Sequence, residues 1–223
     1  IKDSDKEWIL TTDADCILPK NWLYTIDNYL QQYPCNMLAA PVTYITTNSL
    51  LDQFQLLDFL SLQASTISGF GLQHPFLCNG ANLGYQKSVF EQVNGFENNN
   101  SIASGDDIFL LEKFLTFDKT RVNYLKSKEA IVRTYPAKTF AELLHQRVRW
   151  ASKTANYKLF FGKLIGGVVG IGNTVIAAIP VLYIADILST TTAIALLILK
   201  MLVDYLLIAK ARHYFNQKIG FST

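Results

Sequence analysis

Of the 223 residues, half are apolar and only 17 % are charged, which is apolar for a soluble protein. The length allows one domain of ordinary size plus something extra, and a net charge of +2 gives no basis for a nucleic-acid partner. Three cysteines (Cys16, Cys35 and Cys78) show neither a C-x-x-C pattern nor metal-ligand spacing, so buried thiols in a reducing compartment are expected. The chain starts at Ile1 and enters an apolar run almost at once. It therefore reads as part of a longer protein whose amino-terminal portion is missing, with no signal peptide.

That first run is Glu7-Trp8-Ile9-Leu10-Thr11-Thr12-Asp13-Ala14-Asp15. It predicts a buried strand ending in two acids. On extended backbone, side chains at i and i+2 point the same way, so Asp13 and Asp15 face one point at the carboxyl end of the strand, where open α/β sheets bind ligands. Two carboxylates there repel unless a cation lies between them, and Mg²⁺ or Mn²⁺ carrying a diphosphate would supply one. The alternative is a pair of surface acids in a strand-to-helix turn.

Pro19 suits the first turn of a helix whose apolar positions are Trp22, Leu23, Ile26, Tyr29 and Leu30, stopping near Tyr33-Pro34. Met37 to Ile45 reads as a strand made irregular by Pro41. Ser49 is placed to cap a long helix ending near Gly69, with an apolar face broad enough to pack on a sheet or face a membrane. In Phe76 to Tyr85, the small residues Gly80, Ala81 and Gly84 permit close approach of backbone to a ligand, or simply form a tight turn. Lys87 to Val93 predicts a short helix closed by Asn94-Gly95.

A second acidic cluster, Ser104-Gly105-Asp106-Asp107, precedes the apolar positions Ile108, Leu110, Leu111, Phe114 and Leu115. Ser104 is a candidate N-cap, and acids in a first turn favour the helix dipole. These aspartates are either helix-starting residues or include a general base at the mouth of the same cleft. Val122 to Leu125 and Ala130 to Val132 are short strand candidates. Thr139 then opens a helix on which Gln146, Arg149 and Trp150 share a face. A guanidinium there suits a diphosphate and an indole suits a sugar ring, while Arg with Trp is also what a membrane surface recruits.

From Leu164 to Ala185 no residue is charged, which is about long enough to span a bilayer. Gly166 and Gly170 suit close helix packing, and Pro180 is placed to kink the span. A second apolar run, Ala193 to Ala209, is interrupted by Lys200 and Asp204 at i and i+4, positioned to neutralise each other or to face protein, and a buried helix of a soluble domain is the alternative to a second span. Basic residues flank both outer ends: Arg147, Arg149, Lys153, Lys158 and Lys163 before, Lys210, Arg212 and Lys218 after. The connector Ser189 to Thr192 has none. By the positive-inside rule the flanks are cytoplasmic and the connector is external.

The ordered set Asp13-Ala14-Asp15, Gly80-Ala81-Asn82, Gly105-Asp106-Asp107 and Gln146-Arg147-Val148-Arg149-Trp150, followed by apolar helices, resembles the membrane-bound family 2 glycosyltransferases, the group with cellulose and hyaluronan synthases. The resemblance spans about Trp8 to Trp150. It implies an α/β fold of GT-A type, Rossmann-like, over 1–155, then a membrane region over 156–223 with spans at about 164–185 and 193–209. It further implies an inverting, metal-dependent enzyme at the cytoplasmic membrane. Such an enzyme moves a sugar from a nucleotide-diphospho-sugar, commonly a UDP-sugar, to a polysaccharide or lipid-linked acceptor. Asp13 and Asp15 would hold Mg²⁺ or Mn²⁺, and Asp107 would be the base. Gly80, Ala81 and Asn82 would line the acceptor side, and Asp106, Gln146, Arg149 and Trp150 would border the substrates. Gly105-Asp106-Asp107 departs from the synthases, which often carry Glu before the catalytic Asp, so Asp106 stays a rival for the base. A non-catalytic membrane scaffold, with the acids as capping or surface residues, is the other class.

Overall fold

The computed structural model describes residues 1, 4–47, 49–97, 105–154 and 159–218. The first apolar run forms β1 (Trp8–Thr11), half-buried along its length rather than buried as expected. α1 (Trp22–Gln32) follows, and Pro19 stands just before it instead of in its first turn, its carbonyl accepting from Trp22 N–H at 3.1 Å. Tyr33 ends the helix in extended conformation, as a residue before proline prefers. The run from Met37 is two strands rather than one, β2 (Met37–Ala39) and β3 (Val42–Tyr44). Pro41 has no N–H for a ladder, and the chain changes sheets there.

α2 (Leu50–Gly71) starts as expected, with Ser49 Oγ accepting from Asp52 N–H at 3.1 Å. A 3₁₀ turn at Gly80–Asn82 leads into β4 (Leu83–Gln86) and α3 (Lys87–Gln92), closed by Asn94 and Gly95 at positive φ. α4 (Asp106–Asp118) begins after Gly105, whose φ of 99° favours glycine. Gly105 occupies the cap position, and Ser104 lies outside the described residues. β5 (Val122–Tyr124), β6 (Val132–Thr134) and α5 (Phe140–Thr154) complete the domain. β6 lies slightly beyond the expected Ala130 to Val132, because Lys128–Ala130 forms a 3₁₀ turn. Thr139 opens α5 as expected, its Oγ1 accepting from Glu142 N–H at 3.2 Å. The boundary expected at 155/156 falls outside the described residues.

Among the described residues the strands form a sheet of order β1-β4-β2-β5 and a separate β3-β6 pair. β4 runs antiparallel to both neighbours, while β2–β5 and β3–β6 are parallel. β1 is therefore an edge strand, which explains its partial exposure. Gly84 sits opposite Leu10, and a Cβ there would lie 2.7 Å from Leu10 Cδ2. That glycine serves strand packing, not ligand approach. β2 is buried on both faces: Leu38 joins α1, α2 and β3 on one side, while Met37 and Ala39 meet β4 and α4 on the other.

Asn82, only 1 % exposed, ties this core together. Its Oδ1 accepts from Trp22 Nε1 at 3.0 Å, and its Nδ2 donates to Pro41 O and to Ala130 O, each at 2.8 Å. One side chain thus holds α1, the bend between β2 and β3, and the approach to β6.

After the domain come α6 (Phe160–Ile184) and α7 (Thr190–Phe215), both longer than the expected spans. Among the described residues these two are long and apolar enough to cross a membrane, and their apolar windows are only 6 % buried. The connector lies at residues 185–189, earlier than the expected Ser189 to Thr192, because Thr190 to Thr192 form the first turn of α7, capped by Ser189. Among the described residues, nothing lies within 4 Å of a Cβ placed at Gly166 or Gly170, so the pair faces open space rather than a neighbouring helix. Lys200 and Asp204 pair as expected. The far end of α7 returns to the domain, where Ala211 and Phe215 are buried in the α1–α2 core.

Asn82→Ala removes three buried hydrogen bonds and strands their partners, at a cost of roughly 3 kcal/mol or more. A fall in melting temperature of about 6–12 °C is expected for the purified protein. A thermal melt within about 2 °C of the parent protein would contradict it.

Candidate active site

The end of β1 and the second acidic motif meet at the turn before β4. Thr11 Oγ1, at the end of β1, donates to Gly80 O at 2.7 Å, and Gly80 N–H donates to Asp107 Oδ2 at 3.0 Å. The other carboxylate oxygen of Asp107 accepts from Ile108 N–H at 2.9 Å. Asp107 is half-buried with both oxygens oriented by backbone amides, whereas Asp106 beside it is exposed. Cys78 Sγ donates to Asp107 O at 3.3 Å, and burial together with the Asp107 charge raises the thiol well above its usual range.

Asp13 and Asp15 converge, but not by the expected route. β1 stops at Thr11, and Cys16 N–H donates to Asp13 O at 3.1 Å, so the acids lie in a turn beyond the strand. That turn brings a carboxylate oxygen of each acid and Cys16 Sγ within 4.8 Å of one another. Desolvation, then the neighbouring Asp15 charge, raise the Asp13 carboxyl above 3.8, with Arg149 pulling the other way. Desolvation also raises the Cys16 thiol, which keeps it protonated and unsuited to a hard cation. Two exposed carboxylates that repel each other are the donor set Mg²⁺ or Mn²⁺ prefers, so the residues fit a divalent cation. Thr134 Oγ1, at the end of β6, donates to Asp15 Oδ2 at 3.4 Å.

α5 is set by the segment before it: Gln55 of α2 donates to Ala137 O at 3.0 Å and accepts from Ala137 N–H at 2.9 Å. The face expected to unite Gln146, Arg149 and Trp150 is divided. Arg149 is exposed, with its charge felt by Asp13. Trp150 is half-buried against the core, under the Arg147 guanidinium at 4.3 Å from the ring centroid. Gln146 Oε1 is buried and has no hydrogen-bond partner among the described residues. Arg147, which the motif leaves unspecified, forms an ion pair with Asp58 of α2. Burial raises the Tyr44 hydroxyl above its usual 10, with Arg147 opposing and Asp58 and Asp15 adding to the rise.

Of Gly80, Ala81 and Asn82, only Gly80 presents surface. Ala81 is 2 % exposed, and the Asn82 amide has both hydrogens committed inside the core. Sequence reasoning missed Thr11, Tyr44, Asp58 and Arg147. A signal for Asp58 was available: an acid set between Leu57 and Phe59 within an apolar helix.

Acids gathered at one end of a mixed sheet, with guanidinium groups on a neighbouring helix, suit a transferase that handles an anionic donor. Residues 8–209 match the family described as glycosyl transferase family group 2, and the chain belongs to that family. Membership implies the GT-A nucleotide-sugar transferase fold and glycosyl transfer from a nucleotide-sugar donor. No curated protein matches the chain.

The raised Asp13 carboxyl gives a stability prediction whose sign follows from linkage. Below the unfolded value of 3.8 both states hold the proton and Asp13 costs nothing; as pH rises through the higher folded value, the ionised carboxyl destabilises the fold. In chelator at pH 7, Asp13→Asn should therefore raise the melting temperature, and the gain should fade toward pH 3.8. A variant that melts lower than the parent protein at pH 7 would refute the raised carboxyl.

Proposed function

We propose that this protein is an inverting, metal-dependent glycosyltransferase of the cellulose and hyaluronan synthase-like group. It transfers a sugar from a UDP-sugar to a polysaccharide or lipid-linked acceptor at the cytoplasmic face of the membrane. The observation that supports this reading is the hydrogen-bonded path Thr11–Gly80–Asp107, which ties the third acid to the end of the strand that precedes the paired ones.

Asp107 takes the acceptor hydroxyl proton as the hydroxyl oxygen bonds to the anomeric carbon, and the nucleoside diphosphate leaves from the opposite face. The proton ends on Asp107, and the configuration inverts. Backbone donors from Gly80 and Ile108 keep the carboxylate aimed during this step. Asp13 and Asp15 would hold the divalent cation, and Mg²⁺ or Mn²⁺ bound there would supply charge neutralisation for the diphosphate. Arg149 borders the donor diphosphate, Gln146 and Trp150 support its helix from the core side, and exposed Asp106 stands beside the base.

General-base assistance is worth roughly 10²–10⁴-fold. In the full-length protein, Asp107→Asn should bind nucleotide-sugar and metal yet lose transfer by at least about a hundredfold, and Asp106→Asn should lose much less. Asp15→Asn, or excess chelator, should abolish transfer. Full activity in Asp107→Asn would remove it as base, and full activity in chelator would remove the metal.

In the membrane, α6 and α7 form a hairpin with the domain and the end of α7 in the cytoplasm, supported by their basic flanks. A tag inserted at residues 185–189 should be reachable from outside, and one after Thr223 should not. Both tags on one side would reject the hairpin.

A further inference from the structure

Where α7 leaves its apolar stretch and joins the domain there is a cleft of about 530 Å³, lined by Lys126, Lys128, Ala209, Lys210, His213 and Tyr214. The segment between β5 and β6 supplies two of its lysines, and α7 supplies Lys210 and His213. Among the described residues no acid lines it; Glu129, next to Lys128, is exposed and outside the lining. Lys126 Nζ stands 5.6 Å from the Tyr214 ring centroid. The Tyr214 hydroxyl is buried and has no hydrogen-bond partner among the described residues. Three lysines from two segments lining one open cleft, with no acid among the lining residues, form a site that an anion would complete.

The position of the cleft identifies the anion. The apolar run from Ala193 ends at Ala209, so Lys210 marks the boundary where headgroups lie if α7 crosses the bilayer. One turn earlier, Tyr205 and Leu206 stand at i−4 from Ala209 and Lys210, and both are exposed. A phosphate held by the lysines would leave its acyl chains lying along that apolar face, which a soluble anion would not use.

We infer that this cleft binds the headgroup of an anionic phospholipid from the leaflet on the domain's side, with the phosphate on Lys126, Lys128 and Lys210. The inference rests on α7 as a membrane helix and not on glycosyl transfer.

The test uses the full-length protein in a neutral detergent and reads its melting temperature. Short-chain phosphatidylglycerol, phosphatidylcholine of equal chain length and inorganic phosphate are titrated separately. Phosphatidylglycerol should stabilise, and the other two should do so weakly or not at all. Replacing Lys126, Lys128 and Lys210 together by Gln should raise the half-effective phosphatidylglycerol concentration at least about tenfold, while replacing all three by Arg should leave it within about twofold. If the Gln variant does not fold, Lys210→Gln alone should show a shift of about fivefold. Equal stabilisation by phosphatidylcholine, or a preference that survives loss of the lysines, overturns the site. Inorganic phosphate matching phosphatidylglycerol overturns the lipid and leaves a soluble-anion site. The readout involves no sugar transfer, so a failure here and a failure of the catalytic reading are separable, and the tag experiment reports separately on α7.

Discussion

The side-chain amide of Asn82 is the constraint from which the site follows. A buried amide must find partners for its oxygen and both hydrogens. Here they are the Trp22 indole, Pro41 O and Ala130 O. Those partners lie on three separate segments, so satisfying one side chain fixes the placement of all three against the turn before β4. Thr11 and Asn79 hold the rest of that turn, Asn79 Oδ1 accepting from Ala81 N–H at 2.9 Å. With the turn fixed, Gly80 N–H has one direction available, and Asp107 is the acceptor it meets. The core thus orients the acid, although Asn82 itself offers nothing to a substrate.

This division of labour explains what the sequence reveals and what it conceals. Helices with strong apolar periodicity and local caps are legible, as Ser49 and Thr139 show, because cap and helix are neighbours in the chain. The acidic motifs are legible as residue types, since a D-x-D and a Gly-Asp-Asp are short. Their geometry is not: the convergence of Asp13 and Asp15 comes from a turn closed by Cys16 N–H, not from strand alternation. Gly84 and Asn82 read as ligand-facing for the same reason, because the contacts that claim them, with Leu10, Trp22, Pro41 and Ala130, come from distant segments. The break at Pro41 was visible as an irregularity, but the switch of sheets depends on β6, which arrives much later.

The pairing of Arg147 with Asp58 is the most informative of these non-local contacts. A partly exposed ion pair contributes at most about 1 kcal/mol, so its value lies in orientation more than in stability. Held by Asp58, the Arg147 guanidinium covers the Trp150 ring and fixes which way the helix face turns. Arg149, two residues on from Arg147, is left on the side where Asp13 feels its charge. A lysine at 147 would keep the charge but lose the planar group that stacks on the indole.

The same neighbourhood receives the end of α7. Gln217 Nε2 donates to Thr43 Oγ1 and to Tyr44 O, each at 3.0 Å. Tyr44 in turn stacks on Phe59 of α2 with centroids 4.3 Å apart, one residue along from Asp58. α7 is therefore bound to the domain at one end by buried Ala211 and Phe215 and by these bonds, while its apolar stretch lies outside the domain core. A helix anchored this way cannot slide or rotate about its axis without breaking the Gln217 bonds or unseating Phe215. The strand that ends at Tyr44, the helix that carries Asp58 and the apolar helix beyond Thr190 are thus parts of one packed unit. The orientation of Arg147 over Trp150 is set within the same framework that fixes where α7 leaves the domain.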